Sequence, residues 1–352
     1  MEFGVISLGD NRADPLTGRL RSAAEHHREA IELAEKAEAL GFDSFHMGEH
    51  HGCDYITSAP PVILGAIAMK TERIRLSTAT ALLPVHDPVL FAEDYATLDV
   101  LSGGRAEVIV SRGIIARSYG DLGFDYADSR SLFKENIELV LQLWREEKVH
   151  WQGTHRSSLE GFTLQPRPVQ QPNPPFWVGG GFSEESILLA AELGLPLMLP
   201  SVIQPPTFFA PLVEQYREAF QDRGFGPPQV GALSHIHVAE DLETVTARYA
   251  PRHREYLDWV GQELLPWGLE PVLPPGTPPP RLPPADFDQQ RSEGPLVAGS
   301  PQQVLDRLAE FKEACQLDRH LFHVDDGALP QEALFESLEL LSSEVLPKLR
   351  AV

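Results

Sequence analysis

The hydrophobic pattern alternates short β-branched runs with amphipathic stretches along the whole chain. After the first run, apolar residues recur at helical spacing over Arg21–Leu40 and stop at Gly41, a residue that commonly ends helices. The pattern predicts eight strands, at Phe3–Leu8, Phe42–Met47, Ile74–Leu83, Ala106–Val110, Pro175–Val178, Pro196–Leu199, Gln229–Val238 and His320–Val324. Predicted helices lie near residues 21–40, 60–70, 88–101, 129–147, 184–193, 207–222, 241–264 and 301–315.

Eight alternations in a chain of 352 residues favour an α/β fold of the TIM (βα)8 barrel type. An open doubly wound sheet would carry a glycine fingerprint after its first strand, where this chain has Ser7-Leu8-Gly9-Asp10 instead. No repeat or composition shift marks a boundary. We therefore predict a single domain over residues 1–352.

Two stretches interrupt the alternation. Residues 148–174, rich in Gln and Pro, lie between the fourth predicted helix and the fifth strand. Residues 266–295 lie in the region after the seventh strand and hold a run of prolines from Pro271 to Pro284, which predicts neither helix nor central strand. A connection of this length is typical of a mobile lid over the barrel mouth or of a disordered insertion, and the sequence leaves both open.

Charge and cysteine content exclude several classes of protein. The 51 acidic against 29 basic side chains give a net charge of −22, which argues against nucleic acid as a general partner. Two cysteines, Cys53 and Cys315, are too few for a disulfide framework. The N-terminus lacks a signal-peptide pattern, and no apolar run is long enough to cross a bilayer. We expect a soluble, cytoplasmic protein with no membrane partner.

Candidate chemistry follows the predicted strands, since the active site of a TIM barrel is built from the loops at their carboxyl ends. The second strand leads into Glu49-His50-His51, a dense titratable cluster in which histidine can move protons near neutral pH. A surface loop with stray histidines is the alternative. The third strand carries small residues at its centre, which allow a flat ring to approach the backbone.

Two further strand ends have the features of an anion site. Arg112 follows the fourth strand and could bind a phosphate through two parallel bonds, or pair with one of the many carboxylates. The fifth strand leads through three glycines and Ser183 into a helix, and such a turn exposes backbone amides to a ligand. An ordinary N-cap followed by Glu184 and Glu185 is the alternative for this turn.

A set of segments follows in order along the first part of the chain: Gly41-Phe42-Asp43, Glu49-His50-His51, Pro88, Ala92-Glu93-Asp94, Leu98-Asp99-Val100-Leu101-Ser102-Gly103-Gly104-Arg105, Arg112-Gly113, Ser129-Arg130, Pro174-Pro175-Phe176-Trp177-Val178 and Ala190-Ala191-Glu192-Leu193-Gly194-Leu195-Pro196. In these segments the chain resembles the bacterial luciferase-like flavin monooxygenases. The resemblance runs in order over roughly residues 1–200 and is most specific from Asp94 to Gly113.

This resemblance implies FMN as the cofactor and assigns roles to individual residues. His50 aligns with the catalytic histidine, and Ala79–Thr80 falls where the family has a non-prolyl cis peptide against the flavin ring. Ser111 stands where the luciferase has a reactive cysteine, so the match implies flavin chemistry without light emission. The residues implied to hold the flavin phosphate are Arg112, Gly181, Ser183 and Ser186.

The implied reaction is oxygenation of a small organic substrate by reduced FMN and dioxygen through a peroxyflavin. A separate NAD(P)H:flavin reductase could supply the reduced flavin, and a homodimer is expected. Three alternatives stay open: deazaflavin-dependent hydride transfer, a non-catalytic flavin-binding homologue and a metal-dependent hydrolase. The last would use His235, His237, His323 and Asp325, but such hydrolases usually carry their histidine pair on the first strand, and no metal ligand is predicted.

Overall fold

A computed structural model describes residues 1–180, 184–274, 276–278 and 286–351. Its strands are β1 Glu2–Ser7, β2 Ser44–Met47, β3 Arg75–Thr78, β4 Ala81–Leu82, β5 Val108–Ser111, β6 Val149–Trp151, β7 Leu159–Phe162, β8 Phe176–Gly179, β9 Leu197–Met198, β10 Val230–Val238, β11 Val297–Gly299 and β12 Arg319–His323. Its α-helices are α1 Ala23–Ala39, α2 Pro60–Ala68, α3 Pro88–Ser102, α4 Ala116–Asp121, α5 Ser129–Arg145, α6 Glu184–Leu193, α7 Pro206–Gln221, α8 Leu242–Arg248, α9 Ala250–Trp259, α10 Leu265–Leu269, α11 Phe287–Ser292, α12 Pro301–Cys315, α13 Gln331–Leu340 and α14 Leu346–Ala351.

Nine parallel strands form a nearly closed barrel in the order β3-β2-β1-β12-β10-β9-β8-β5-β4. β3 and β4 are the two halves of one predicted strand, so the order returns to its start. A parallel bridge between Leu76 and Ala106 also joins β3 to the chain just before β5. The predicted TIM-barrel fold and all eight predicted strand positions are confirmed. The sequence pattern did not predict β11, which pairs with β10, or the antiparallel hairpin β6–β7 inside the 148–174 insertion.

The barrel interior is layered from a charged end to an apolar middle. At the amino ends of the strands, buried Arg319 donates from Nη2 to Glu107 at 3.0 Å and from Nε to Glu2 at 2.9 Å. Its guanidinium also lies 4.4 Å from the centre of the Trp177 ring. An apolar cluster fills the next layer, with Ile6, Ala79, Ile109, Trp177, Met198, Leu233 and Leu321. These layers fill the amino end of the barrel, so a ligand is expected at the carboxyl ends of the strands.

Helix α3 illustrates how local sequence places the loops that matter. It starts with Asp87, whose side chain accepts from the backbone N–H groups of Val89 and Leu90, and Pro88 takes the first helical position. It ends at Gly103, whose φ of 68° is the left-handed conformation that glycine adopts without strain. The chain then turns directly toward β5, the strand that leads to Arg112.

The segment 266–295 differs from its prediction. It contains the end of α10 and all of α11, so the expectation of no helix is wrong for its two flanks. The two helices lie on either side of the proline-dense centre, so the prolines of that centre do not interrupt them. Trp267 accepts at its carbonyl from Arg117 Nε at 3.2 Å, which ties the first flank to α4. Residues 275 and 279–285 lie outside the described part of the chain, and the lid stays a prediction.

His320 on β12 makes stability depend on pH. Its ring is fully buried, with Nε2 3.0 Å from Ser234 Oγ, and burial lowers its pKa from 6.5 to about 3. Since the unfolded chain takes up this proton at higher pH than the folded chain, stability is lost as pH falls below about 6.5. Glutamine does not titrate. Replacing His320 by Gln should therefore reduce the pH dependence of the free energy of unfolding by up to about 1.4 kcal/mol per pH unit.

Urea unfolding between about pH 6 and pH 5 measures this slope. The matched control is His150→Gln, because His150 is an exposed histidine on the β6–β7 hairpin. Parallel stability curves for the unmodified protein and His320→Gln would contradict the prediction.

Candidate active site

Glu49, in the loop after β2, anchors two histidines at the barrel mouth. Its Oε1 accepts from His51 Nε2 at 2.7 Å and from His86 Nε2 at 2.6 Å, and its Oε2 accepts from the Leu82 N–H at 2.9 Å. Burial would raise the pKa of Glu49, but these bonds lower it to about 2. The carboxylate is therefore charged and its hydrogen bonds are satisfied. The predicted cluster exists, and His86 is a member that sequence spacing did not reveal.

His50 lies on a different side of the same loop. Its ring stacks on Tyr55, with centroids 3.9 Å apart and an interplanar angle of 20°. Its Nδ1 is buried and has no hydrogen-bond partner among the described residues. Burial lowers the pKa of His50 to about 4, although the charge of Glu49 opposes that shift. The imidazole is thus neutral near pH 7, with one ring nitrogen uncommitted.

The expected non-prolyl cis peptide is present at Ala79–Thr80 and separates β3 from β4. Thr80 Oγ1 lies 2.6 Å from Ser111 Oγ at the end of β5. At the end of β8, a Cβ on Gly179 would lie only 3.1 Å from the Thr80 side chain and 3.2 Å from that of Ser111. Three strand ends therefore meet closely around Thr80, and glycine permits this approach.

Arg112 follows β5 beside these strand ends. Its Nη1 donates to the Tyr126 hydroxyl at 3.0 Å and to Ser129 Oγ at 3.2 Å, and its guanidinium lies 5.3 Å from the centre of the Tyr126 ring. In the described ranges no carboxylate forms an ion pair with Arg112, so the alternative of a simple surface ion pair is not observed. Tyr126 was not predicted from the sequence, because nothing in its spacing links it to Arg112.

Ser186, in the first turn of α6, lies near the loop that carries Arg112. A Cβ on Gly180 would come within 2.9 Å of Ser186 Oγ, so the first turn of α6 packs against the chain leaving β8. β5 and β8 are neighbours in the barrel, with Val110 opposite Val178, which places the Arg112 loop beside this turn. The other two predicted phosphate-binding residues, Gly181 and Ser183, lie outside the described residues.

A second buried polar cluster occupies the carboxyl ends of β1, β10 and β12. His235 and His323 lie with their Nδ1 atoms 2.9 Å apart, and Asp326 Oδ2 lies 3.6 Å from His235 Nδ1. His237, two residues further along β10, stacks on the Tyr249 ring instead of joining them. The metal-hydrolase alternative therefore grouped His235 and His323 correctly, but His237 is apart from them and Asp326 joins the cluster.

The family model described as "Luciferase-like monooxygenase" matches residues 1–316. The chain belongs to this family. The resemblance carried by the sequence motifs is confirmed, and the protein is an oxidoreductase of the flavin-dependent monooxygenase type. This assignment favours flavin chemistry over the metal-dependent hydrolase.

Two relatives illustrate the range of the family. The oxygenase component of flavin-dependent trigonelline monooxygenase from Acinetobacter baylyi is 27% identical over 343 residues, covering 91% of this chain and 89% of the relative. The 4-hydroxyprotoasukamycin monooxygenase of Streptomyces nodosus subsp. asukaensis is 28% identical, covering 90% of this chain and 85% of the relative.

Solved structures show the same fold. The monooxygenase RslO1 from Streptomyces bottropensis superposes with a TM-score of 0.86 at 26% identity, covering 99% of this chain and 100% of the other. The oxygenating constituent of 3,6-diketocamphane monooxygenase from Pseudomonas putida, a type II Baeyer-Villiger enzyme in complex with FMN, gives 0.80 at 21% identity, with 99% and 98% covered. A coenzyme F420-dependent tetrahydromethanopterin reductase from Methanopyrus kandleri gives 0.69 at 18% identity, with 99% of both chains covered.

Within the described part of this chain, no helix has the length and apolar character needed to cross a bilayer.

Proposed function

We propose that this protein is an oxygenase component that uses reduced FMN and dioxygen to oxygenate a small organic substrate. The similarity to the oxygenase component of flavin-dependent trigonelline monooxygenase supports a separate NAD(P)H:flavin reductase as the source of reduced flavin. The FMN complex of a structural neighbour supports FMN as the flavin. A homodimer remains a prediction.

The observation that carries the proposal is the order of the candidate groups around the barrel mouth. Ala79 donates its N–H to the Met47 carbonyl at 2.9 Å, so the cis peptide lies directly beside the strand that leads to His50. On its other side, Thr80 contacts Ser111, the neighbour of Arg112. His50, the small residues at Ala79–Thr80 and Arg112 therefore follow one another around the barrel mouth. They offer a group that can handle a proton, a place for a flat ring and a cation without a carboxylate partner.

These residues fit both parts of FMN, its phosphate and its flat ring system. Arg112 has no carboxylate partner among the described residues, and Gly180 lets the Ser186 hydroxyl lie close to the chain that leaves β8, so this end of the barrel mouth suits a phosphate. Ala79 has a small side chain and Gly179 has none, which allows a flat ring to approach the backbone. When bound, reduced FMN supplies the electrons that activate dioxygen.

The protein then has to hold a proton and keep water out. His50 is neutral near pH 7, and its uncommitted Nδ1 can accept a proton or share one with a reacting group. Glu49 accepts from His51 and His86, whereas no carboxylate of the described residues hydrogen-bonds to His50. A buried apolar cluster beside His50 excludes water, and its members are Tyr55, Tyr256, Trp259 and Leu264.

Anaerobic titration followed by exposure to oxygen tests the proposal. The protein should bind reduced FMN and slow its reoxidation relative to free flavin, with a transient absorbance band that belongs to neither oxidised nor reduced FMN. Reoxidation at the rate of free flavin, with no such band, would reject the proposal. A parallel titration with reduced F420 discriminates the alternative, because tighter binding of the deazaflavin would indicate hydride transfer instead.

A further inference from the structure

The buried cluster at the ends of β1, β10 and β12 brings three carboxylates together, and the groups at ion-pair distance from Asp325 and Asp326 are histidines. Asp10, Asp325 and Asp326 are 0%, 8% and 0% exposed. Within the described ranges, no lysine or arginine lies at ion-pair distance from any of these three carboxylates. Buried carboxylates need a paired cation or a metal ion, because desolvating an unpaired charge is costly.

Two imidazole nitrogens of this cluster face each other. The Nδ1 atoms of His235 and His323 are 2.9 Å apart, and both rings are buried. Asp326 Oδ2 is 3.6 Å from His235 Nδ1, and the three ligand atoms all lie within 4.8 Å of one another. Ligand atoms bound to one zinc ion at about 2.0–2.1 Å are separated by roughly 3.4 Å, and the separations of 2.9 Å and 3.6 Å each differ from this by about half an ångström or less.

The surroundings of these three side chains are also those of a metal site. Asp326 is oriented by the Tyr249 hydroxyl, which donates to its Oδ1 at 2.8 Å, and by His253 Nδ1, which lies 2.6 Å from its Oδ2. His323 Nε2 lies 3.2 Å from Asp325 Oδ1. Asp325 thus stands behind the His323 imidazole, in the position from which a carboxylate orients a metal-binding histidine.

Several polar atoms here have no hydrogen-bond partner among the described residues. They include Asp10 Oδ1, Asp325 Oδ1 and His323 Nε2. In the other His and Glu group of the described ranges, Glu49 with His51 and His86, both imidazoles donate to the carboxylate and none of the three side chains has a buried polar atom without a partner. That group needs no ion.

We infer that His235, His323 and Asp326 bind one divalent transition-metal ion of the zinc class. Two imidazoles and one carboxylate suit such an ion better than magnesium or calcium, which prefer oxygen ligands. The ion joins β10 and β12 to the loop that follows β12, and through His253 and Tyr249 it supports α9. The inference does not rest on the flavin function proposed above, but the site adjoins His50: Tyr256 packs against the His235 and His323 rings and hydrogen-bonds to Tyr55, on which His50 stacks.

Zinc binding to the full-length, chelator-treated protein tests the inference without any flavin or activity. Calorimetry should show one Zn²⁺ bound per chain, and added Zn²⁺ should raise the unfolding temperature. The variants His235→Gln and Asp326→Asn should each weaken Zn²⁺ binding by more than about tenfold, since even the loss of a supporting partner costs about 10–100-fold. Substitution by Co²⁺ should give a visible absorption band in the unmodified protein that His235→Gln loses.

The matched controls are His237→Gln, on the same strand and face as His235, and His86→Gln, in the other histidine group. Both should keep zinc affinity. Circular dichroism establishes that each variant is folded, so loss of binding can be assigned to the ligand. The inference is overturned if the folded, unmodified protein binds no Zn²⁺ or Co²⁺, which would mean that a proton is shared between the two imidazoles. It is also overturned if His86→Gln abolishes binding while His235→Gln keeps it.

Discussion

Replacing His50 by alanine should lower turnover by about 10²–10⁴-fold while FMN affinity changes little, because general acid–base groups contribute on that scale. The imidazole is neutral near pH 7, and its Nδ1 is uncommitted, whereas its ring is fixed by stacking on Tyr55. A group held in this way can act in the chemical step without carrying binding energy for the flavin. Single-turnover kinetics, with reduced FMN binding measured separately, distinguishes the two effects.

The matched control for this prediction is His51→Ala in the adjacent position. His51 donates to Glu49, so its loss should disturb the loop and lower stability while turnover falls much less. A His50→Ala enzyme with near-normal turnover on its true substrate would show that the assignment is wrong. Equal losses for His50→Ala and His51→Ala would point to loop geometry as the common cause.

Replacing Arg112 by alanine should weaken FMN binding by roughly ten- to a hundredfold, because a hydrogen bond to a charged group contributes about 1.5–3 kcal/mol. The guanidinium is positioned by the Tyr126 and Ser129 hydroxyls, neither of which neutralises its charge. The phosphate of FMN would therefore meet a cation that is already oriented. Equilibrium titration of flavin fluorescence measures the change.

Riboflavin, which has no phosphate, provides the internal comparison. Its affinity should be nearly the same for the unmodified protein and for Arg112→Ala. Arg130→Ala is the matched arginine control, since Arg130 is exposed and ion-paired with Glu185 near the same helices. If the unmodified protein binds FMN and riboflavin equally well, Arg112 does not hold the phosphate.

The barrel and several of its site positions follow from local sequence. Short β-branched runs between amphipathic stretches indicate the eight strand positions, because the strands of this barrel are buried on both faces. Once the strands are known, the barrel geometry places their following residues at one end, which is why His50 and Arg112 could be selected as candidates. The family motifs added the cis peptide at Ala79–Thr80, which periodicity alone does not reveal.

The partners within the site were decided only by the tertiary structure. Spacing could not show that Glu49 holds both His51 and His86, leaving His50 as the uncommitted histidine of its loop. At the first flank of the proline-rich segment, α10 packs against α4, a contact that the local composition does not encode. At the other flank, α11 begins after Asp286, whose side chain accepts from the Gln289 N–H.

The buried cluster is the clearest case of a feature determined only by tertiary structure. Asp10 and Asp326 are more than 300 positions apart in the sequence, yet the Gly327 N–H donates to Asp10 Oδ2 at 2.9 Å. β1 and β12 bring them together because they are the first and last barrel strands and pair when the barrel closes. Local sequence determined which residues end each strand, and barrel closure determined which of those ends meet.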